Sequence, residues 1–218
     1  LPIVTQRGDV AAYADEHGLS SEDAARRLRY GFLNRTAAAL EASRIAVAHT
    51  QDDQAETFLL KLMRGAGATG LGGIYPQRDL VIRPLLDVTR AELRTYLTNM
   101  GEQWMEDESN ADITNPRNRV RHRVLPELDC AAGGSTRPAI ARAATLIRED
   151  GQWLDDLAHA RFRTLAAEFG STIELEVSAL AETPLPVLRR VLLEAMRQQS
   201  GGREVGLEHV ESVLTLIG

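Results

Sequence analysis

The sequence has 218 residues and a net charge of −6, with 44% hydrophobic and 26% charged residues, which is enough chain for one large or two small domains with a buried core. The negative charge excludes a uniformly basic nucleic-acid-binding protein, and no apolar run approaches the roughly 18 residues of a membrane span. The single cysteine, Cys130, excludes an internal disulfide and an all-cysteine metal site and predicts a cytoplasmic location.

Strands and helices alternate in the first part of the sequence. In chain order we predict a strand at 1–4, helices at 9–18 and 20–43, a strand at 44–48, a helix that follows it, a strand at 80–85 and a helix at 89–101. Asp9 and Thr89 are typical helix-capping residues, and Gly18 and Gly101 are typical of helix ends. The alternation predicts an α/β fold with a Rossmann-like parallel sheet flanked by helices.

The pattern changes after Leu128. Turn-forming residues predict a linker at 129–137, followed by a long helix at 139–169 that Gly151 interrupts. A short strand at 171–177 and helices at 184–199 and 207–217 complete the predicted elements. We therefore expect an α/β domain at 1–128, a linker at 129–137 and a mostly helical small domain at 138–218.

Several acidic residues follow the predicted strand at 44–48, where ligands bind in open α/β sheets. Asp53 and Glu56 are three residues apart and share one face of a helix, so they could hold an ammonium group or a hydrated Mg²⁺, and His49 could donate to a phosphate. A structural interpretation is also open, in which Asp52 or Asp53 caps the helix and Glu56 is a solvated acid in its first turn.

Two further segments are rich in glycine or arginine. The glycines of 64–73 allow a close backbone approach to a ligand, but they match neither a Walker loop nor a dinucleotide-binding motif. The densest positive charge is at 117–123, which either neutralises phosphates or pairs with the acids of 106–112. Arg26 and Arg29 lie one helical turn apart and either reach one anion together or pair with Glu22 or Asp23.

Four segments together resemble the tRNA(Ile)-lysidine synthases of the PP-loop, or N-type ATP pyrophosphatase, family. They read EDAARRLRYGFL, AHTQDDQAETFLLKLMRGAGATGLGGI, IRPLLDVTRAELRTYL and EDESNADITNPRNRVRHRVLPEL. The resemblance implies a ligase that joins L-lysine to C2 of the wobble cytidine of a tRNA(Ile) with a CAU anticodon. In that family ATP adenylates the cytidine with release of pyrophosphate, and the lysine amine then displaces AMP. ATP and Mg²⁺ are implied as cofactors, and a homodimer is expected.

The same resemblance implies roles for individual residues. Asp53 and Glu56 hold the lysine ammonium, and the implied catalytic residues are Asp53, Glu56, Arg119 and Arg121. The residues implied to lie near ATP are His49, Asp52, Arg26 and Arg29. The residues implied to face tRNA are Arg64, Gly65, Gly67, Arg117, Asn118 and Arg123.

One departure from the family is substantial. The pyrophosphate loop SGGxDS, which follows the first strand of the family's domain, has no match in this sequence. Leu1 aligns inside that domain, so we expect a sheet that is incomplete at its N-terminus and no lysidine formation by 1–218 alone. Two alternatives stay open: a non-catalytic tRNA-binding module and a PP-loop tRNA thiolase, the second disfavoured by the single cysteine.

Overall fold

The computed structural model describes residues 3–105, 112–169 and 172–217, and the chain divides into two compact units. The first unit comprises Leu1–Thr57 and Ile74–Ala141, and the second comprises Phe58–Gly73 and Arg142–Gly218. None of the described helices is both long and apolar enough to cross a membrane.

The described elements follow one another in a mainly helical chain. The α-helices are α1 (Val10–His17), α2 (Ser21–Ala39), α3 (Gln51–Met63), α4 (Ala68–Leu71), α5 (Arg90–Asn99), α6 (Pro116–Arg119), α7 (Leu125–Ala132), α8 (Arg137–Leu165), α9 (Val177–Ala181), α10 (Leu185–Gln199) and α11 (Leu207–Ile217). A π-helix, Val120–Val124, joins α6 to α7. The strands are β1 (Ile45–Ala46), β2 (Gln77–Arg78), β3 (Val81–Ile82), β4 (Ala166–Phe169) and β5 (Thr172–Leu175).

The sheet of the first unit has the order β1-β3-β2. β1 and β3 are parallel, as the sequence predicts, whereas β2 pairs antiparallel with β3. The described residues therefore form a small mixed sheet rather than a wholly parallel one. Residues 3 and 4 belong to no strand, so the strand predicted at 1–4 is absent there, and residues 1 and 2 lie outside the described part. Ala37 of α2 packs on Ile45 and Val81 of the sheet.

Helix caps in the first unit follow the sequence closely. Asp9 caps α1 by accepting from the Ala12 amide, and Gly18 ends that helix with a left-handed backbone (φ 62°). At α5, Thr89 and Glu92 form a reciprocal capping box, which satisfies two backbone amides of the first turn that have no helical partner.

The linker predicted at 129–137 is shorter in the structure. Helix α7 continues to Ala132 and is capped by Gly133 in the left-handed conformation (φ 68°), and α8 starts at Arg137. The turn is therefore confined to 133–136. Its composition suggested a longer linker because small residues such as Ala131 and Ala132 are equally compatible with a final helical turn. The three-part division into domains stays a prediction.

The second unit is built around the apolar faces of α8, α10 and α11. Phe162, Val191 and Val210 are buried in its core, with Leu175 of β5 packed against it. Strands β4 and β5 form an antiparallel hairpin, so the long helix predicted at 139–169 ends at Leu165 and its last four residues are a strand. Helix α9 was not predicted, because five residues are too few for a periodic pattern.

Candidate functional site

The site begins where β1 leads into helix α3. The amide and hydroxyl of Thr50 both donate to Asp53 Oδ2 at 2.8 Å, and the Asp53 amide donates back to Thr50 Oγ1 at 3.4 Å. This reciprocal pairing has the geometry of a capping box and fixes the Asp53 carboxylate at the helix start. The helix cap is therefore Thr50, rather than Asp52 or Asp53, and Asp53 accepts the Thr50 amide from the third helical position. The Asp53 Oδ1 atom still has further partners.

Glu56 lies one helical turn after Asp53, and its side chain is completely buried (0% exposed). Arg117 donates from Nε to Glu56 Oε2 at 2.7 Å. Arg121 donates from Nε to Oε1 at 2.6 Å and from Nη2 to Oε2 at 3.1 Å. A buried carboxylate is stable only when it is paired and hydrogen-bonded. The alternative that Glu56 is a solvated first-turn acid is therefore wrong.

A third arginine approaches both carboxylates from the first residue of α5. Arg90 Nη2 lies 3.7 Å from Asp53 Oδ1 and 3.9 Å from Glu56 Oε1. Arg117 Nη2 also reaches Asp53 Oδ1, at 3.1 Å. The face predicted to be open to an ammonium ion is thus covered by guanidinium groups. Asp53 keeps some access to solvent, with 16% of its side chain exposed.

The protonation states follow from these contacts. Burial raises the pKa of the Asp53 carboxyl, but the hydrogen bonds from Thr50 and the charges of Arg117 and Arg90 outweigh it, so that pKa lies below its usual value. Burial lowers the pKa of the Arg121 guanidinium, but the hydrogen bond and charge of Glu56 outweigh it, and the pKa is raised. At neutral pH Asp53 is therefore an anion and Arg121 a cation.

Asp52 joins the start of α3 to the first residues of α5 and α8, which lie in the first unit. Its Oδ2 atom accepts from the Arg90 amide at 2.7 Å, and its Oδ1 atom lies 3.0 Å from Arg137 Nε. Arg137 also pairs with Asp129, which in turn accepts from Thr136 at 2.7 Å. Asp52 therefore fastens the starts of α5 and α8 to the start of α3.

His49 lies at the carboxyl edge of the sheet, and Arg83 lies at the same edge because β1 and β3 are parallel. The buried Arg83 donates from Nε to His49 Nδ1 at 3.2 Å and from Nη1 to the Tyr75 carbonyl at 2.6 Å. Burial is the main reason that the pKa of His49 is lowered; Asp53 opposes this, and Arg83, Arg117 and Arg26 add to it.

The arginine segment, residues 117–123, divides into two faces. Arg117 and Arg121 point to the carboxylates of α3, whereas Arg119 and Arg123 are exposed. Asn118 is buried and donates from Nδ2 to the Asp112 carbonyl at 2.8 Å, so it is not a surface residue. The acids at 106–111, which the sequence offered as partners for these arginines, lie outside the described residues. The carboxylates seen to pair with Arg117 and Arg121 are those of α3.

Arg26 and Arg29 border different cavities. Arg26, whose guanidinium lies 5.2 Å from the ring centre of Tyr30, borders an open cleft of about 810 Å³. Arg27, Arg78 and Arg83 line the same cleft. Arg29 instead lines a pocket of about 260 Å³. The two residues therefore do not share one anion site, although their sequence spacing allows it.

The glycine-rich stretch belongs to the second unit. Arg64 is exposed, and Gly65 has a positive φ of 73° at the end of α3. Gly67 precedes α4 and caps it without a side chain. Gly72 packs against Arg148, whose Nη1 atom donates to the Gly72 carbonyl at 3.3 Å. Part of this stretch is therefore held in place by packing and a hydrogen bond within the second unit.

Sequence reasoning missed four residues that hold the site together. Three are arginines outside the arginine segment, and one is the cap of α3; they are Thr50, Arg83, Arg90 and Arg137. The Thr50-x-x-Asp53 spacing is a capping-box pattern and could have been found from the sequence. Arg83 directly follows a strand that runs parallel to β1, which also places it at the sheet edge. Nothing in the sequence singles out Arg90 or Arg137.

The carboxylates of the site are paired with arginines rather than grouped around a metal position. Among the residues that the structure describes, no three His, Cys, Asp or Glu side chains are grouped so as to bind a metal ion. Asp52, Asp53 and Glu56 are each paired with at least one arginine. As the described residues are paired, these carboxylates are occupied by arginine cations and are not open to Mg²⁺, which proteins bind through one or two carboxylates together with substrate phosphates.

A pair of acids at a helix start, at the carboxyl edge of a parallel strand pair, with arginines around them, is an arrangement suited to phosphate-bearing ligands. The chain belongs to the PP-loop family: the family model described as PP-loop domain matches residues 1–128.

Proteins similar to this chain are named tRNA(Ile)-lysidine synthase. The one from Geobacter sulfurreducens is 36% identical over 222 residues, covering 100% of this chain and 47% of that protein. The one from Thermus thermophilus is 42% identical over 193 residues, covering 88% of this chain and 37% of that protein. The one from Deinococcus deserti is 45% identical over 154 residues, covering 71% and 28%. The chain thus spans about half the length of these curated relatives or less.

Proposed function

We propose that this chain takes part in tRNA(Ile)-lysidine synthesis, the ATP-dependent attachment of L-lysine to C2 of the wobble cytidine in a tRNA(Ile) with a CAU anticodon. The C2 oxygen attacks the α-phosphorus of ATP and pyrophosphate leaves; the lysine amine then attacks C2 and AMP leaves with that oxygen. The observation that carries the proposal is the carboxylate–arginine cluster of Asp53, Glu56, Arg117 and Arg121 within a PP-loop domain.

In this proposal Asp53 and Glu56 have different tasks. Asp53 is anionic and partly exposed, so it contacts the lysine ammonium directly. Glu56 is enclosed by Arg117 and Arg121, and a direct contact with lysine would require one of them to move. Glu56 therefore positions the arginines, which fits an electrostatic mechanism in which fixed charges stabilise the developing phosphate charge.

The arginines supply the positive charge for the phosphates. Arg121 is held by Glu56, and Arg119 is exposed beside it with a weak bond from Nη1 to the Thr114 carbonyl at 3.4 Å. Guanidinium groups bind phosphate through two parallel hydrogen bonds. We assign Arg121 and Arg119 to the α-phosphate of ATP. Arg123 and Arg117 are assigned to tRNA binding. Asn118 is buried and supports this segment from inside the protein rather than contacting tRNA.

The open cleft beside Arg26 is the proposed place for ATP. Its lining includes four arginines and Tyr30, and its volume of about 810 Å³ is large enough for a nucleotide. His49 contacts Arg83, which lines the cleft, so we place His49 near the phosphates. Asp52 acts indirectly, by holding together the starts of α3, α5 and α8. Arg29, on a separate pocket, is the weakest member of the predicted ATP set. Because the carboxylates at the start of α3 are paired with arginines, no step of this proposal is assigned to a metal.

Residues 1–128 form the catalytic part, with β1 and β3 as members of a Rossmann-like sheet, and 138–218 form the smaller substrate-binding part. Arg64, Gly65 and Gly67 contribute to tRNA binding from the second unit. A cytoplasmic location and a homodimer complete the proposal.

Lysidine formation tests the proposal directly. The product is measured with ATP, L-lysine and tRNA(Ile) for 1–218 and for a version extended by an upstream segment that contains SGGxDS. We expect product only from the extended version. In that version Asp53→Asn should raise the KM for lysine at least about tenfold, a loss of about 1.4 kcal/mol, whereas Glu56→Gln should mainly lower kcat.

The matched control is Arg44→Ala, an exposed arginine whose Nη1 atom donates to the Ser43 carbonyl at 2.7 Å. It should change neither constant. Clear product from 1–218 alone would contradict the expected need for the loop. An inactive extended version would contradict the function, and an unchanged lysine KM in Asp53→Asn would contradict only the lysine assignment.

A non-catalytic tRNA-binding module is the second candidate, and the exposed Arg119 and Arg123 favour it. Such a module binds tRNA through its arginines but consumes no ATP. ATP consumption by the extended version separates the two, because added SGGxDS should produce turnover only in the enzyme. Tight tRNA binding without ATP consumption would select the module.

A further inference from the structure

Arg83 contacts His49 in a way that determines where the imidazole carries its proton. Arg83 is buried, and three groups fix its position: its amide donates to the Pro76 carbonyl at 2.8 Å, its Nη1 atom to the Tyr75 carbonyl at 2.6 Å, and its Nε atom to His49 Nδ1 at 3.2 Å. The guanidinium therefore cannot turn away from the imidazole without breaking other hydrogen bonds.

A guanidinium group has only donors and stays protonated in proteins. The nitrogen that faces it must present a lone pair, so His49 Nδ1 carries no proton. A neutral imidazole then has its proton on Nε2. A doubly protonated imidazole would place two N–H groups against each other, and its formation would break the bond to Arg83.

We propose that Arg83 is a positioning residue that holds His49 as the neutral tautomer with its proton on Nε2, so that His49 donates a hydrogen bond to a substrate oxygen and does not act as a base. The oxygen belongs to a phosphate or carbonyl at the carboxyl edge of β1 and β3. This last assignment rests on the proposed function, whereas the tautomer does not.

The charges that face His49 come from four elements. Asp53 on α3 favours the cationic imidazole, whereas Arg26 on α2, Arg83 after β3 and Arg117 on α6 disfavour it. Burial disfavours it most strongly, and the resulting pKa of His49 is lowered from its ordinary value. The electrostatic surroundings and the hydrogen-bond geometry therefore favour the same neutral state.

The tautomer has a chemical consequence for the proposed reaction. The only lone pair of the imidazole lies on Nδ1 and is already occupied by Arg83. His49 cannot remove the proton from the lysine ammonium while that bond exists, so the proton must go to another acceptor. What His49 supplies is a fixed, uncharged donor, which stabilises negative charge without requiring a counter-ion.

Nitrogen NMR of the histidines reads the tautomer without any assay of activity. The protein is labelled with ¹⁵N-histidine, long-range ¹H–¹⁵N spectra are recorded at neutral pH, and His49→Gln identifies the His49 signals. We expect a protonated Nε2 and an unprotonated Nδ1. A proton on Nδ1, or a doubly protonated ring at neutral pH, overturns the proposal, and this result requires no variant of Arg83.

Two variants separate the hydrogen bond from the charge. Arg83→Met removes both, so the His49 signals should become an average of the two tautomers and the pKa of His49 should rise. Arg26→Met removes only a nearby positive charge, so the pKa should rise while the proton stays on Nε2. An unchanged tautomer in a folded Arg83→Met protein, or a changed one in Arg26→Met, contradicts the role of Arg83. The spectra test the tautomer of His49 independently of the lysidine assay, so a failure of the proposed function would not change their interpretation.

Discussion

Glu56 shows how a single buried charge depends on its neighbours. Its carboxylate is fully buried, and Arg117 and Arg121 occupy both oxygens. Removing a charge of this kind from water costs several kcal/mol, and only good geometry and close partners compensate. The two arginines are four residues apart and belong to α6 and the π-helix, so one carboxylate determines the direction of both.

We expect Glu56→Gln to lower the free energy of unfolding by about 3 kcal/mol, because the partly buried guanidinium groups of Arg117 and Arg121 lose the charge of the carboxylate they share. Urea denaturation followed by circular dichroism measures the change. Glu127→Gln, an exposed position at the start of α7, is the matched control and should change stability by less than about 0.5 kcal/mol. If Glu56→Gln also lowered the free energy of unfolding by less than about 0.5 kcal/mol, the cluster would not be tightly coupled.

The lowered pKa of Asp53 gives a pH dependence with a definite sign. A carboxyl whose folded-state pKa lies below its unfolded value near 3.8 stabilises the fold above that pH, and the contribution is lost as the pH falls through the folded-state pKa. Asp53→Asn should therefore cost stability at pH 7 and progressively less in acid. Urea midpoints for both proteins at about pH 7 and about pH 3 test this. A difference between the two urea midpoints that stays constant or grows in acid would contradict this expectation.

At the scale of elements, the starts of three helices meet through side chains of the first unit. Thr50 and Asp53 form the cap of α3, Asp52 accepts from the first amide of α5, and the same Asp52 pairs with Arg137 at the start of α8. Local capping rules explain the first contact only. The acids of this segment therefore act both within their own helix and between helices.

Helix α8 runs through Gly151 without a break, although the sequence predicts an interruption there. A β-carbon added at Gly151 would meet no atom within 4 Å, and the residue lies in regular helix. We expect Gly151→Ala to stabilise the fold by about 0.5–1 kcal/mol, since alanine loses less backbone entropy. Thermal unfolding measures it. Gly133→Ala is the control and should destabilise, because Gly133 has a φ of 68°; destabilisation by Gly151→Ala would contradict the helix-propensity explanation.

At the scale of the whole molecule, the net charge of −6 opposes binding to RNA, so any binding must come from local positive charge. The arginine segment supplies it in two layers: Arg117 and Arg121 are neutralised by α3, and Arg119 and Arg123 remain exposed. The exposed layer can contact phosphates without a rearrangement.

This division predicts the salt dependence of tRNA binding. Arg123→Ala should weaken binding and reduce the slope of log affinity against log salt by about 1, because it removes one contact with a tRNA phosphate, whereas Arg119→Ala should leave the slope unchanged because Arg119 is assigned to the α-phosphate of ATP. Affinities are measured at several salt concentrations with Arg44→Ala as the matched exposed control. A slope for Arg123→Ala equal to that of the unchanged protein would remove Arg123 from the interface.

The sequence by itself determined the elements with strong local signals. The caps at Asp9, Thr89 and Gly18, the parallel pairing of β1 with β3, and the long α10 and α11 were all predictable, because capping and hydrophobic periodicity depend on residues close in the chain. It also determined the family, whose motifs are short and ordered.

Only the tertiary structure decided what the charged residues of the site do. Spacing placed Asp53 and Glu56 on one helix face, but it could not show that Arg90, Arg117 and Arg121 cover that face, since these arginines are distant in sequence. In the same way, one helical turn separates Arg26 from Arg29, yet they border different cavities. The physical reason is that charge pairing depends on distance in space and on burial, and neither can be read from the order of residues.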